Sequence, residues 1–374
     1  MLSILADRTY RHLFAAQVIA LIGTGLLTVA LSLLAYQLAG DQAGAVLGTA
    51  LAIKMVAYVG IAPIIGGFTG RLPRRAFLVT MDALRAFVAL ALPFVDQVWQ
   101  IYVIIFLLQS ASAAFTPTFQ ATLPDILPDE REYTQALSLS RLAYDLENLL
   151  SPTLAAALLT VISFHSLFGG TVIGFVVSAL LVLSVRLPQP KSSERTLTFF
   201  EKATRGLHIY FATPRLRGLL ALNLSAAATG AMVIVNTVVI VRGVLGGSNG
   251  DVAAALACFG GGSMISALVL PKVLDRFEDR QIMIPAASIL ALLLLAFAMA
   301  TAWVTTGHLW AALLVIWISM GLCYSAVLTP TGRLLRRSAQ PNDRPAVFAA
   351  QFALSHGAWL IAYRVAGWIG AYSV

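Results

Sequence analysis

Charge is what this sequence has least of. Only 11% of its 374 residues are Asp, Glu, Lys or Arg, against roughly a quarter in a soluble domain. With 59% hydrophobic residues spread over the whole length, the chain reads as many membrane spans and not as a water-soluble globule. Cysteine is nearly absent. Cys258 and Cys323 each lie inside an apolar segment without CxxC spacing, which argues against a disulfide framework or a zinc site and reads them as small packing residues. Histidine occurs five times and never as a tract. No G-x-x-x-x-G-K-[ST] loop is present, which argues against P-loop ATP hydrolysis as the driving force. No nucleophile, acid and base fall into a catalytic pattern, so neither an enzyme nor a cofactor is expected. A cleavable leader is not expected either, because MLSILADRTYRH runs into an apolar segment too long for a signal peptide.

What is present is a series of apolar runs divided by one basic stretch. About 20 apolar residues cross a bilayer core, and such runs fall at approximately 13–38, 44–68, 75–95, 99–122, 134–161, 166–186, 218–241, 252–272, 281–304, 308–331 and 346–371. That predicts eleven spans. Between the sixth and seventh lie Arg186, Lys191, Arg195, Lys202, Arg205, Arg215 and Arg217, with Pro188, Pro190 and Pro214 opposing a continuous helix. This stretch reads as a loop in water. A nucleic-acid patch is the rival reading, but nothing like a soluble domain surrounds it. Alternating the loops puts twenty of the 25 Lys and Arg on one side and only Arg242 on the other. The cation-rich side, including the N-terminus, is therefore expected to be cytoplasmic. The net charge of +8 then describes a face turned to anionic lipid.

The two halves repeat. Arg11 and Gln17 recur as Arg217 and Asn223, Arg71 and Arg75 as Arg276 and Arg280, Thr116-Pro117-Thr118 as Thr329-Pro330-Thr331, and Pro128 and Arg131 as Pro341 and Arg344. Four matches in one order at nearly constant offset indicate a duplication. Both copies begin on the same side, so the repeats are parallel, related by an axis along the membrane normal. The expected organisation is an N-terminal six-helix bundle at 1–187, a cytoplasmic linker at 188–214, and a five-helix C-terminal bundle at 215–374. By this logic a twelfth span is missing. Arg364, about 10 Å from the end of the eleventh span, adds to the expectation of a drifted or shortened end.

Two parallel six-helix-type repeats resemble the major facilitator superfamily, and the resemblance covers the whole chain. The loop of that family between spans two and three has the form G-x-L-x-D-R-x-G-R-K. Here Gly66, Arg71, Arg74 and Arg75 fit, while Gly70 stands in the place of Asp and Pro73 in the place of Gly. The second copy keeps the acidic residue in Asp275-Arg276. The resemblance implies a cytoplasmic gate at these residues, held by charge-assisted contacts. The plainer alternative is a basic loop that only sets orientation. The stretches RTYRHLFAAQVIAL, LSLSRLAYDLENLLSP, LTPTGRLLRRSA and FAAQFALSHGAWLIAY further resemble NreB-type nickel-resistance permeases, close to EntS-like exporters. That implies an efflux permease of a bacterial-type inner membrane, exchanging protons for nickel or a similar cation and acting as a monomer. Export of an organic solute is the sister reading, and a truncated remnant that transports nothing is the alternative of another class.

Mechanism should reside in ionisable residues at depth, since each is costly in hydrocarbon unless paired or facing water. In the fifth span Asp145 and Glu147 lie about 17 and 20 Å from its start. The i, i+4 spacing pairs Asp145 with Arg141 and leaves Glu147 as the expected proton carrier, with Lys54 as counter-charge. The alternative is that both carboxylates are structural partners of Arg141, Lys54 or Arg85. Asp82 and Arg85 are expected to pair with each other. Gln17, Thr24, Asn223 and Asn236 are candidate cavity residues. A metal cargo would need soft or imidazole ligands, and His356, Cys323 and Met320, with Met264, are the candidates, although a lone intramembrane histidine is more often merely hydrogen-bonded.

Overall fold

In the computed structural model, residues 2–69, 72–188, 198–303 and 306–372 are described. They form α1 Arg8–Ala39, α2 Ala43–Thr69, α3 Arg74–Ala89, α4 Val98–Ile126, α5 Glu130–Leu159, α6 Phe164–Leu183, α7 Phe199–Ala212, α8 Pro214–Val239, α9 Asn249–Leu274, α10 Asp279–Trp303, α11 Thr306–Leu328, α12 Thr331–Ser338 and α13 Arg344–Tyr372. The caps are local. Asp7 accepts the Tyr10 N–H at 2.7 Å to open α1, and Asp129 accepts that of Glu132 at 2.9 Å to open α5. Ser248 and Asp251 form a reciprocal capping box before α9. The α8 helix ends in a π-helical turn, Ile240–Val244, and the chain reverses at Gly246, whose φ of 65° suits glycine.

Ten described helices are long and apolar enough to cross a membrane. They correspond to all the expected spans except the fifth. That one, α5, has 30 residues, ample length at 1.5 Å each. Its charges at Arg141, Asp145 and Glu147 keep it out of a purely apolar class, so it depends on pairing.

The central basic stretch differs from expectation. A 14-residue helix, α7, occupies part of the segment read as loop. The prolines forbid a helix only near their own positions, and the residues between Pro190 and Pro214 leave room for several turns. Thr198 supplies the start, accepting the Glu201 N–H while the Glu201 carboxylate accepts from the Thr198 N–H and hydroxyl at 2.8 Å. Those two bonds hold the Glu201 carboxyl below its ordinary value. The cap is therefore complete above that ordinary value and opens as pH falls through the lowered one. The two Thr-Pro-Thr copies also differ. Pro117 lies inside unbroken α4, whereas Pro330 falls in the break between α11 and α12.

Two compact units are distinguished. The first comprises Met1–Ala136, Leu146–Thr213 and Leu335–Leu354, and the second Leu137–Asp145, Pro214–Leu334 and Ser355–Val374. The sequence partition put 137–145 in the first bundle and 335–354 in the second, so these segments group differently. Within the first unit α1 packs on α6, α2 on α4, α3 on α4 and α6, and α7 on α2. Within the second, α9 and α10 pack on α11, and α8 on α10 and α11. Both cores use small residues for close approach, as membrane helices do. The Thr171 hydroxyl donates to the Gly23 carbonyl at 2.8 Å where α1 meets α6. Where α9 meets α11, a Cβ at Gly262 would lie 2.1 Å from the Ile318 carbonyl oxygen, and one at Gly321 2.0 Å from that of Phe259.

This crossing generates a test. Gly262→Leu is expected to lower stability by about 1–3 kcal/mol through overpacking, read as a lower melting temperature in detergent. Gly261→Ala, where a Cβ meets nothing within 4 Å, is expected to leave it unchanged.

Candidate functional site

The richest polar cluster of the second unit is built on α5. Arg141 Nη2 donates to Asp145 Oδ1 at 2.5 Å, and its Nε reaches Asp145 Oδ2 at 3.3 Å and the Ser263 hydroxyl at 3.2 Å. The Ser263 hydroxyl on α9 in turn donates to Asp145 Oδ2 at 2.7 Å. Asp145 is only 4% exposed. Its charge is thus met by a guanidinium and a hydroxyl, as a carboxylate in low dielectric requires. The Arg141 guanidinium also lies 4.7 Å from the centre of the Tyr324 ring, a cation–π contact. Tyr324 meets Phe259 at 5.3 Å and Trp359 at 6.4 Å, and Trp359 meets Tyr363 at 5.1 Å. Gly230 makes room for these rings, since a Cβ there would come within 2.5 Å of Trp359. The result is a neutral ion pair bordered by an aromatic wall.

In the first unit the charges are arranged differently. Lys54 on α2 and Glu147 on α5 act on each other electrostatically. The Lys54 ammonium lies 5.5 Å from the centre of the Tyr58 ring. The Tyr58 hydroxyl donates to Gln109 Oε1 at 2.8 Å, and its ring meets Phe352 at 4.9 Å. One turn beyond Glu147, Ser151 packs against α1 so tightly that a Cβ at Gly25 would sit 2.0 Å from the Ser151 hydroxyl oxygen and 3.6 Å from Glu147 Cγ. Glycine is required there for α1 and α5 to meet beside the carboxylate. Asp145 is held by an ion pair and a serine, whereas among the described residues no hydrogen bond holds Glu147.

At the ends of the first-unit helices the sequence missed the acidic partner. Arg71 and Gly70 lie outside the described residues. Arg74, 3% exposed, pairs at 2.5 Å with Asp125 on α4, which also takes Arg344 at 2.8 Å. Arg75 donates to the Leu183 carbonyl. Gly66 packs on α13, where a Cβ would meet Ala349 Cβ at 2.2 Å. Further pairs tie Arg205 to Asp343 at 2.5 Å and Arg337 to Glu130. The Asp343 carboxylate raises the Arg205 guanidinium above its ordinary value. Signals for Asp125 existed only as one acid in a polar helix end, with nothing to name its partner. In the second unit Asp279, rather than Asp275, carries the buried pair, with Arg333 at 3.1 Å. Asp275 and Arg276 are exposed in the turn after α9.

The other expected site residues are dispersed. Asn223 donates to the Leu219 carbonyl at 2.9 Å, and Asn236 to the Ala366 carbonyl at 3.2 Å, joining α8 to α13. The Thr24 hydroxyl is bonded to the Ala20 carbonyl at 2.9 Å, and Gln17 is partly buried on α1. Met320 is fully buried, and Cys323 packs beside it in the aromatic core around Trp317. His356 is half-buried on α13. Among the described residues no three His, Cys, Asp or Glu side chains gather as a metal site.

Residues 13–363 match the family model of the Major Facilitator Superfamily. Macrolide efflux protein A of Streptococcus pyogenes is 25% identical over 182 residues, covering 47% of this chain and 44% of that protein. YfiS of Bacillus subtilis, an uncharacterized MFS-type transporter, is 27% identical over 172 residues, 46% of this chain and 40% of that protein. The match thus spans less than half the length of these relatives. The E. coli fucose:proton symporter has a similar fold, with a TM-score of 0.74 over 97% of this chain and 92% of that one at 15% identity. A bacterial homologue of the iron transporter ferroportin, in its outward-facing state, gives 0.72 over 96% and 91% at 16% identity. The fold is therefore the all-α facilitator fold.

The Arg141–Asp145 geometry yields a prediction. Asp145→Asn strands a guanidinium 16% exposed and is expected to cost about 3–5 kcal/mol, read as lost folded yield by size-exclusion fluorescence. Adding Arg141→Gln should recover part of it. Equal losses in the single and double variants would show that the pair is not coupled.

Proposed function

Because the chain belongs to the Major Facilitator Superfamily, whose model matches residues 13–363, we propose that it is a proton-coupled efflux permease of a bacterial-type cell membrane that carries an amphipathic organic solute. The observation that carries this reading is the division of labour on α5. Asp145 is fixed by Arg141 and Ser263 and serves the scaffold. Glu147, on which the Lys54 charge acts and which no hydrogen bond holds among the described residues, can take and release a proton as the protein changes state. The rings of Tyr324, Trp359 and Tyr363 offer flat apolar contact to a solute, as drug-sized ligands require. Similarity to macrolide efflux proteins supports this cargo class. Nickel, implied by the subgroup resemblance, has weaker support, since no group of three ligands gathers among the described residues.

In this reading the chain is organised as two parallel bundles joined through the basic segment, with the cation-rich ends cytoplasmic. The Arg74–Asp125–Arg344 cluster is the cytoplasmic latch. It supplies from α4 the carboxylate that the loop lacks at Gly70. Opening the latch exposes charges to water and closing it pairs them, so its strength sets the balance of the two states.

A growth panel over macrolides, other amphiphiles, nickel and cobalt in a sensitive host tests the cargo. Protection against organic compounds is expected. Protection against metals alone would overturn it. Glu147→Gln should reduce protection to the level of the host without the gene while protein abundance is kept, because neutral Gln mimics the protonated carboxyl and blocks release. Undiminished uphill export by that variant contradicts the coupling role. For topology, reporters inserted after Gln340 should be active in the cytoplasm and those after Ser248 outside it. The reverse pattern refutes the orientation.

A further inference from the structure

The helix inside the central basic segment, α7, has more apolar surface than its protein contacts use. At about 100° per residue, Gly206 and Tyr210 share one face, Phe200, Thr204, Leu207 and Phe211 a second by their i, i+4, i+7 and i+11 spacing, and Glu201, Arg205 and His208 a third. The first face is seated on the protein. A Cβ at Gly206 would lie 2.0 Å from the Ala346 carbonyl oxygen, and the buried Tyr210 hydroxyl donates to Gln351 Oε1, while Arg205, where the third face borders the first, pairs with Asp343. These contacts hold α7 against the start of α13, and α7 also packs on α2; both are helices long and apolar enough to cross a membrane. The second face is open. Phe200 is 74% and Phe211 50% exposed, and with Leu207 and Thr204 they line a shallow apolar groove, with His208 at its edge toward the third face.

We propose that this second face lies in the headgroup region of the bilayer leaflet at that end, with anionic lipid as its partner. Apolar residues at helical spacing beside a polar face are what an interfacial helix presents. The position is right, because the end of a spanning helix is where hydrocarbon gives way to headgroups. The charge is complementary. The segment around α7 carries Arg186, Lys191, Arg195, Lys202, Arg215 and Arg217, which favours anionic headgroups. The helix is thus a wedge with one side on protein, one on lipid and one in water. This inference rests on the membrane placement of the fold and not on any cargo.

The test uses the full chain with Cys258→Ser and Cys323→Ser, carrying an environment-sensitive fluorophore on Phe211→Cys or, as the water-facing control, on Glu201→Cys. Both are reconstituted in phosphatidylcholine vesicles with or without phosphatidylglycerol. Quenching by a headgroup-nitroxide lipid is expected to be several-fold stronger at position 211 than at 201, and stronger with phosphatidylglycerol. Equal quenching at both positions, or dominant quenching of 211 by aqueous iodide, overturns the proposal. Hydrogen exchange of the unaltered chain gives a second reading. Amides of 200–211 should exchange more slowly with phosphatidylglycerol present, and equal exchange counts against lipid contact. Neither measurement reads transport, so failure here is distinct from failure of the efflux assignment.

Discussion

A charge placed in hydrocarbon must be paired or given water, and this constraint organises the whole chain. Few charges are present, and the buried ones occur in groups. Asp82 pairs with Arg85 and accepts from Ser178 at 2.7 Å, while Arg85 also stacks on Phe115 at 4.2 Å and Phe175 at 4.6 Å. The two charges of this site are paired, with only Arg85 Nε lacking a hydrogen-bond partner among the described residues, and the site reads as scaffold. Arg141 and Asp145 are likewise paired, with Ser263 bonded to both. Glu147 is the exception, close to a charge of opposite sign yet without a fixed hydrogen bond among the described residues. An incompletely satisfied carboxylate in an apolar fold is costly, and a cost of that kind usually persists at functional sites.

The same rule explains the helix ends. In the first unit a basic residue at the start of α3, Arg74, meets an acid at the end of α4, Asp125. In the second unit the signs are reversed, with Asp279 at the start of α10 and Arg333 on α12. Each unit thus places an ion pair at the start of its helix, with Arg74 in the first and Asp279 in the second, but the signs are exchanged. That is why matching loops residue by residue pointed to Asp275, while the buried acid is four residues on.

Much of the fold could be read from the sequence because membrane spans leave a one-dimensional signal. Apolar runs of sufficient length and a one-sided distribution of cations require no tertiary information. Local spacing likewise gave Arg141 with Asp145 and Asp82 with Arg85, each within one helical turn. Long-range partners were another matter. Nothing near Ser263, Tyr324 or Asp125 in the sequence marks the residues they meet, since those lie 118, 183 and 51 positions away. Prolines and charges in the central segment mask the α7 helix, whose one local signal is the capping box at Thr198 and Glu201. The candidate cavity residues Asn223 and Asn236 illustrate a further limit. Polarity in a span does not tell whether an amide faces a solute or bonds a neighbouring carbonyl, and here both amides bond carbonyls.

The central claim is that Glu147, and not Asp145, exchanges the coupling proton. It is tested most directly by proton release on solute binding, measured with a pH indicator in weakly buffered detergent solution using the compound that the growth panel selects. The account predicts release of about one proton per wild-type protein, as a single titrating carboxyl requires, and none from Glu147→Gln at equal occupancy. Undiminished release from Glu147→Gln would contradict it.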